Sequence, residues 1–385
     1  MKKYFFTMMT TAMLFASCSS DDTVAPNNGI ENQEDLVEIK LGAGSRIGTS
    51  VSESRTAVDA WNDTEVGVFA VDKAANANWT DQTSTDNKPV LMSNVKGTVV
   101  ASASGLTSDI TLEGNKRYYP RNSVRNYEFY GYYPYDSNSA NIATVESANG
   151  IKVTGNFDGT QDIMAGKSQI LTSEPEIGYF NAKYFRTEGE SAETPNISFN
   201  HLTSRIQIQL LQGTDYTDET CAIKSIKMDL PESYEYDLVS VAKSFNDDDD
   251  TNVFTSEDIT WTYPTTSTEN GNVVIIQDNN GLTATDESAG TIPITCDFMV
   301  PAGNGNTDID TEHDGYDAYR LYLTFTDPET NADVISEVDI KLTGYAAFEP
   351  GKKYLVKLKV HGPKEITVQA TLVPWEDGEN IETEI

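Results

Sequence analysis

Tyr354-Leu355-Val356-Lys357-Leu358-Lys359-Val360 shows the pattern that decides the fold. Every second residue from Tyr354 to Val360 is apolar, and two of the three residues between them are lysines. Side chains of a β-strand point alternately to opposite faces, so this spacing predicts a strand with one buried and one solvated face. The same alternation recurs in both halves of the chain, over residues 37–41, 206–210, 226–230, 319–325, 338–342 and 366–372.

This repeated alternation predicts an all-β protein. Clusters of Gly, Asn, Asp and Ser separate the apolar runs, as turns do between antiparallel strands, and no stretch of comparable length has a convincing helical period. Residues 186–196 contain Pro195 and lack large apolar side chains, so they mark the best internal boundary. We therefore expect two antiparallel β-sandwich domains in tandem, at residues 35–190 and 196–385.

The charge of the chain limits its partners. The 385 residues include 60 acidic and 27 basic side chains, which gives a formal net charge of −33. Because nucleic-acid binding needs clustered Lys and Arg, this composition argues against nucleic acid as a partner. It argues equally against electrostatic docking on anionic lipid. With 38% hydrophobic residues, the chain can still build packed cores.

The N-terminus resembles the leader of a bacterial lipoprotein. Residues 1–17 begin with positive charge and continue as an apolar stretch too short to span a bilayer, which indicates a signal peptide. Cys18 follows Leu14-Phe15-Ala16-Ser17, which is similar to a lipobox, so we expect Cys18 to be lipidated and to become the first residue. The alternative is an ordinary signal peptide with an incidental cysteine. Residues 18–34 have the composition of a flexible tether.

Six motifs occur in order along the remainder of the chain. They are Trp61-Asn62-Asp63-Thr64, Tyr127-Glu128-Phe129-Tyr130-Gly131-Tyr132-Tyr133-Pro134, Asp162-Ile163-Met164-Ala165, Phe199-Asn200-His201-Leu202, Phe348-Glu349-Pro350-Gly351-Lys352 and Pro374-Trp375-Glu376. Their order resembles that of the fimbrillin family of Bacteroidetes, the subunits of type V pili. The resemblance covers about residues 61–378 and implies two β-sandwich domains.

The resemblance also implies assembly by exchange of β-strands. In the family, a protease removes an N-terminal strand after an arginine, and the exposed groove accepts a strand from the next subunit. Carried over to this sequence, residues 36–41 are the removable strand, and Arg46 and Arg55 are the candidate processing sites. The alternative for both arginines is a plain loop role. The donor strand is expected from the C-terminal region, where residues 366–372 alternate well and residues 381–385 alternate poorly.

These features together predict a surface-anchored fimbrillin-like lipoprotein with a role in adhesion, as a subunit or as an accessory anchor or tip protein. Its expected location is the outer membrane, the cell surface or a fimbrium, and Asp21 and Asp22 resemble the surface-export signal of Bacteroidetes lipoproteins. The expected partners are other pilus subunits by β-strand addition, the outer membrane through the lipid anchor, and a receptor on a host or bacterial surface. Stalk, tip and anchor roles stay open.

A glycan-binding cell-surface lipoprotein is the alternative function. Tyr and Phe residues concentrate in residues 118–135. Their rings could stack on sugar faces, or they could fill the interior of a sandwich. We expect the interior role.

No catalytic motif, cofactor site or metal site is predicted. His201 lies in an apolar-flanked strand and is expected to be structural. Residues 310–315 place carboxylates at alternate positions, as a calcium loop does, but Leu321 stands where the closing Glu is needed, so a solvated loop is expected. Cys221 and Cys296 could form a disulfide or remain two separate buried thiols.

The lipobox-like segment generates a first prediction. Replacing Cys18→Ser removes the thiol that would carry the lipid, so we expect the variant to lose its acyl mass and to leave the membrane fraction. Mass spectrometry and cell fractionation measure both effects, with Ser20→Ala as the matched control. Unchanged acylation and membrane retention in the Cys18→Ser variant would contradict the prediction.

Overall fold

The computed structural model describes most of the chain between residues 36 and 373. The described residues are 36–45, 61–72, 78–79, 88–100, 107–121, 125–145, 148–169, 180–217, 222–239, 259–263, 273–302, 318–327, 330–341, 348–362 and 365–373. All of them belong to the unit Leu36–Ile385.

Within these ranges the protein is almost entirely β-structure, which confirms the predicted all-β class. The strands, in chain order, are β1 (Leu41–Ser45), β2 (Thr64–Asp72), β3 (Val90–Val99), β4 (Thr107–Leu112), β5 (Tyr127–Tyr133), β6 (Ala140–Val145), β7 (Ala148–Asn156), β8 (Met164–Gln169), β9 (Asn196–His201), β10 (Thr203–Gln212), β11 (Ile223–Asp229), β12 (Ser233–Val239), β13 (Ile259–Thr262), β14 (Val273–Leu282), β15 (Cys296–Pro301), β16 (Ala318–Thr326), β17 (Asp333–Lys341), β18 (Lys353–Gly362) and β19 (Glu365–Val373).

The first sheet closes on itself as a barrel. Its strand order is β1-β4-β3-β2-β5-β8-β9. Neighbouring strands run antiparallel, except that β1 and β9 run parallel and complete the ring. Closure leaves this sheet without an unpaired edge. Its interior is an apolar cluster that includes Val66, Val68, Phe129, Ile197 and Phe199.

The other strands form three four-stranded sheets. Their orders are β15-β10-β18-β19, β14-β11-β16-β17 and β13-β12-β7-β6. Pairing in these sheets is antiparallel, except between β10 and β18, which run parallel. The last sheet joins β7, from the N-terminal half of the chain, to β12 from the C-terminal half. Backbone hydrogen bonds therefore join the two halves of the chain, in addition to the segment that connects them in sequence.

The predicted alternation is confirmed on the strands that build the second core. On β10, Ile206, Ile208 and Leu210 are buried, whereas Gln207 and Gln209 between them are half-buried. The three apolar side chains join the apolar positions of β16 and β18 in one cluster. Burial of each aliphatic side chain of this kind stabilises the fold by roughly 1.5–3 kcal/mol.

A short helix precedes β9. It is α1 (Ala182–Glu188), and a 3₁₀ turn, Gly189–Ser191, follows it directly. Asn181 caps the helix, because its Oδ1 accepts a hydrogen bond of 2.8 Å from the backbone N–H of Tyr184. In the part of the chain that the structure describes, no helix is both long enough and apolar enough to cross a membrane.

The segment predicted as the domain boundary contains the end of this helix. β9 comes after it in sequence and still pairs within the barrel, with β8 on one side and β1 on the other. β10 begins two residues after β9 ends and belongs to a different sheet. The division into domains at residues 35–190 and 196–385 stays a prediction.

A buried ion pair ties β10 to β15. The Nε and Nη2 atoms of Arg205 donate to the two carboxylate oxygens of Asp297, at 2.8 and 2.6 Å. Gln207 Nε2 donates to the same carboxylate at 2.9 Å. The Arg205 side chain is only 1% exposed. A two-pronged contact of this kind fixes the relative position of the two strands.

This ion pair generates a second prediction. Replacing Asp297→Ala leaves the buried Arg205 guanidinium without its carboxylate, so we expect the free energy of unfolding to fall by about 3 kcal/mol. Denaturant unfolding followed by circular dichroism measures the change. The control is Asp333→Ala, which removes an exposed partner of Lys224 and should change stability far less. Equal effects of the two substitutions would contradict the prediction.

Candidate functional site

The candidate site is the seat of β1, meaning the groove between β4 and β9 that this strand occupies. The two neighbouring strands come from distant parts of the chain. Ala43 pairs with Ser108 of β4 on one edge and with Ile197 of β9 on the other. The backbone N–H of Gly42 donates to Pro195 O at 2.9 Å. Both edges of β1 are therefore hydrogen-bonded, and β1 is the strand that closes the barrel.

The residues before β1 extend the same pairing. Glu38 forms an antiparallel bridge with Tyr118, and the backbone N–H of Ile39 donates to Arg117 O at 2.8 Å. An ion pair of 2.8 Å between Lys116 Nζ and Glu38 Oε2 adds to this edge. The closing segment therefore begins before β1 itself and includes most of the strand that the sequence predicts.

The structure places the regular strand later than predicted. The sequence predicts a removable strand at residues 36–41, whereas β1 spans Leu41–Ser45. Glycine and alanine disfavour strands in isolation, but pairing on both edges overrides this local preference. Arg46 follows the last residue of β1 in the sequence. Arg46, Arg55 and Cys18 lie outside the described residues, so processing and lipidation at these residues remain predictions.

Alternate side chains of the closing segment enter the barrel core. Ile39, Leu41 and Ala43 are 6%, 2% and 0% exposed. They belong to the cluster that contains Trp61 and Phe199, whose rings meet edge to face with centroids 5.2 Å apart. Removal of the segment would leave a row of apolar sites in the core as well as unpaired backbone groups.

The opposite face of β1 is covered by Asn196 of β9. A Cβ at Gly42 would lie 2.9 Å from Asn196 Nδ2, and a Cβ at Gly44 would lie 2.5 Å from Asn196 Oδ1. Only residues without a side chain fit under the amide as it stands. Sequence reasoning missed this contact, although two glycines at alternate positions of a strand are the signal that could have indicated a close approach.

A group of polar contacts around Asp162, called the Asp162 cluster, stabilises the connection between β9 and β10. The carboxylate of Asp162 accepts a hydrogen bond of 3.0 Å from Thr203 Oγ1 and lies 2.9 Å from Nδ1 of His201. The Asp162 side chain is fully buried. Thr203 Oγ1 accepts in turn from the backbone N–H of Ile163 at 3.3 Å. These contacts support the structural role predicted for His201. Burial, with the nearby Asp162 charge, raises the pKa of Tyr133 to about 12.

The segment before β18 docks on the same junction. The backbone N–H of Gly351 donates to Thr203 O at 2.9 Å, and Ser204 Oγ donates to Glu349 O at 2.7 Å. Gly351 has a φ of 69°, in the left-handed region that favours glycine. Three of the six sequence motifs therefore meet at one place, where the barrel connects to the next sheet.

Five of the eight aromatic residues in residues 118–135 are buried, and Tyr133 and Tyr135 are half-buried. Tyr118, in contrast, is 36% exposed. Enclosed rings cannot stack on a sugar, so the structure favours the interior role over a glycan-binding surface. The buried rings of this segment, each at most 2% exposed, are Tyr119, Tyr127, Phe129, Tyr130 and Tyr132.

The part of the chain that the structure describes contains no reactive site among the remaining candidate residues. Among the described residues, no group of three or more His, Cys, Asp or Glu side chains could hold a metal ion. Cys296 is a buried free thiol whose pKa is raised to about 12 by burial, so it is unreactive at neutral pH. Cys221 and residues 310–315 lie outside the described residues, so disulfide formation and calcium binding are not tested.

A model of a known protein family matches most of this sequence. Residues 54–375 match the model described as fimbrillin-like. The chain belongs to the fimbrillin-like family. This match confirms the resemblance found in the sequence. No curated protein matches the sequence.

Several solved structures are similar to this fimbrillin-like chain. A candidate cell adhesion protein from Bacteroides uniformis is 16% identical, with a TM-score of 0.49 over 90% of this chain and 100% of that chain. The tip fimbrial protein Mfa3 from Porphyromonas gingivalis, with a C-terminal truncation, is 12% identical, with a TM-score of 0.38 over 88% and 100%. A fimbrilin from Porphyromonas gingivalis is 11% identical, with a TM-score of 0.39 over 89% and 99%.

The Asp162 cluster of this fimbrillin-like chain generates a third prediction. Asp162→Ala removes the acceptor shared by His201 and Thr203, so we expect a loss of about 3 kcal/mol in the free energy of unfolding. Hydrogen exchange at the Ile163 amide should also become faster. Thermal unfolding and exchange mass spectrometry measure these effects, and the exposed Asp158→Ala provides the control. Unchanged exchange at Ile163 would contradict the assigned role.

Proposed function

We propose that this chain is a surface-anchored subunit or accessory protein of a type V pilus, that it assembles by β-strand exchange, and that it acts in adhesion. The observation that carries the proposal is the position of β1. It is hydrogen-bonded on both edges and ends one residue before an arginine in the sequence. A cut after Arg46 would separate the closing strand from the rest of the barrel.

Loss of the closing strand would create a strong site for a replacement strand. The facing edges of β4 and β9 would expose backbone N–H and C=O groups that β1 now satisfies. The sites of Ile39 and Leu41 would be open as well, and each buried aliphatic side chain contributes roughly 1.5–3 kcal/mol. A strand from another subunit would restore both sets of contacts, which is recognition by β-strand addition.

The N-terminal sequence supports surface attachment before assembly. Lipidated Cys18 and the tether at residues 18–34 would hold the chain at the outer membrane. The acidic body would remain in solvent, because its charge does not favour anionic lipid. Cleavage after Arg46 or Arg55 would release the body from its anchor and remove β1 in the same step. An adhesion receptor on a host or bacterial surface completes the proposed partners.

Limited proteolysis tests this function and gives a fourth prediction. The purified mature chain is treated with an arginine-specific protease, and its fragments are identified by mass spectrometry. We expect cleavage after Arg46 or Arg55, loss of the N-terminal fragment, and a stable complex with pilus subunits from the parent cells on size-exclusion chromatography.

Two variants provide matched controls for this experiment. Arg46→Lys and Arg55→Lys keep the positive charge and remove the protease site, so the responsible variant should block both cleavage and complex formation. Complete removal of the closing strand without any complex, even with the native partners present, would contradict strand exchange. Complex formation by an uncut chain would contradict it as well.

A further inference from the structure

The seat of β1 has a wide part, which accepts large side chains, and a narrow part, which accepts only glycine without a shift of its neighbours. In the wide part, Ile39 and Leu41 enter the barrel core as large aliphatic side chains. In the narrow part, Gly42 and Gly44 lie under the amide of Asn196. The contact between a Cβ at position 44 and Asn196 Oδ1 would be 2.5 Å, a separation that real Cβ atoms essentially never show.

Asn196 is enclosed in its position. It lies on β9 between β1 and β8, where it pairs with Gly42 on one side and Gln169 on the other. The residue is only 6% exposed, and its Oδ1 is buried with no hydrogen-bond partner among the described residues. A side chain at position 42 or 44 can enter only if this enclosed amide moves, whereas glycine needs no movement.

We propose that Asn196 determines which strand can replace β1. The donor would be a strand of a partner subunit with large aliphatic residues at the positions of Ile39 and Leu41. It would carry glycine at the positions of Gly42 and Gly44, with a small residue between them. The inference rests on the proposed function, because it names the kind of strand that the exposed groove accepts.

The same rule excludes the C-terminal strand of a second copy of this chain. Residues 365–385 contain one glycine, Gly378, and so cannot supply glycine at two alternate positions. β19, within this segment, has Gln369 and Thr371 as residues between its alternating apolar positions. The groove therefore selects a different subunit as its donor, and the chain does not polymerise with itself through this segment.

The first arm of the test uses the intact chain and does not depend on proteolysis. Hydrogen exchange of the β1 amides is measured in the wild type, Gly44→Ala, Asn196→Ala and the double variant. We expect Gly44→Ala to exchange faster than the wild type, and the double variant to return toward the exchange rate of Asn196→Ala. Independent effects of the two substitutions would overturn the assigned contact.

The second arm measures donor choice after cleavage at Arg46. Labelled peptides of residues 36–45 are compared with the same peptide carrying Gly42→Ala and Gly44→Ala, and with a peptide of residues 365–373. On the wild-type chain we expect the alanine peptide to bind at least about ten-fold more weakly than the native peptide, the equivalent of a small overpacking penalty. The peptide of residues 365–373 should bind more weakly still.

The decisive comparison measures binding of the same peptides to the cleaved Asn196→Ala chain. Alanine restricts a free peptide more than glycine does, so without the amide the alanine peptide should bind at least as tightly as the native one. Equal affinity of the two peptides for the wild-type chain would overturn the specificity proposal and leave strand exchange standing. Failure of every peptide to bind the cleaved chain would overturn both proposals.

Discussion

The closure of the barrel by β1 is the constraint on which the proposed assembly depends. A closed sheet has no unpaired backbone, and in this chain closure needs a segment whose two neighbours are far away in the sequence. That segment contributes few residues but fills core sites and satisfies two strand edges. Such a strand can be separated from the body by one peptide-bond cleavage, and its loss creates a site that only another strand can fill well.

The Asp162 cluster connects this barrel to the sheets that follow. Buried carboxylates are stable only when hydrogen-bonded, and Asp162 is bonded by groups on both sides of the passage from β9 to β10. Because β9 also forms one wall of the β1 seat, the cluster holds that wall in place. The sheet shared by β7 and β12 provides a second link between the two halves of the chain.

Much of the fold could be predicted because strand alternation is a local signal. β10, β16 and β18 follow the apolar spacing of residues such as Ile206 and Leu358, and burial of these residues confirms the spacing. β1 could be predicted only in part, because Gly42 and Gly44 carry no apolar signal and their pairing depends on distant strands. The parallel pairs and the barrel closure are likewise non-local. Asn196 could not be identified from sequence, since its role depends on which strand lies beside it.

The N-terminal sequence of this chain, taken from fimbriae purified from the cell surface, tests the central claim most directly. If the closing strand is exchanged during assembly, the incorporated chain begins at Ile47 or Thr56, and a strand from another subunit lies between β4 and β9. Unassembled chain from the same cells retains Cys18. An incorporated chain that still begins at Cys18, with β1 protected from hydrogen exchange, would contradict the account.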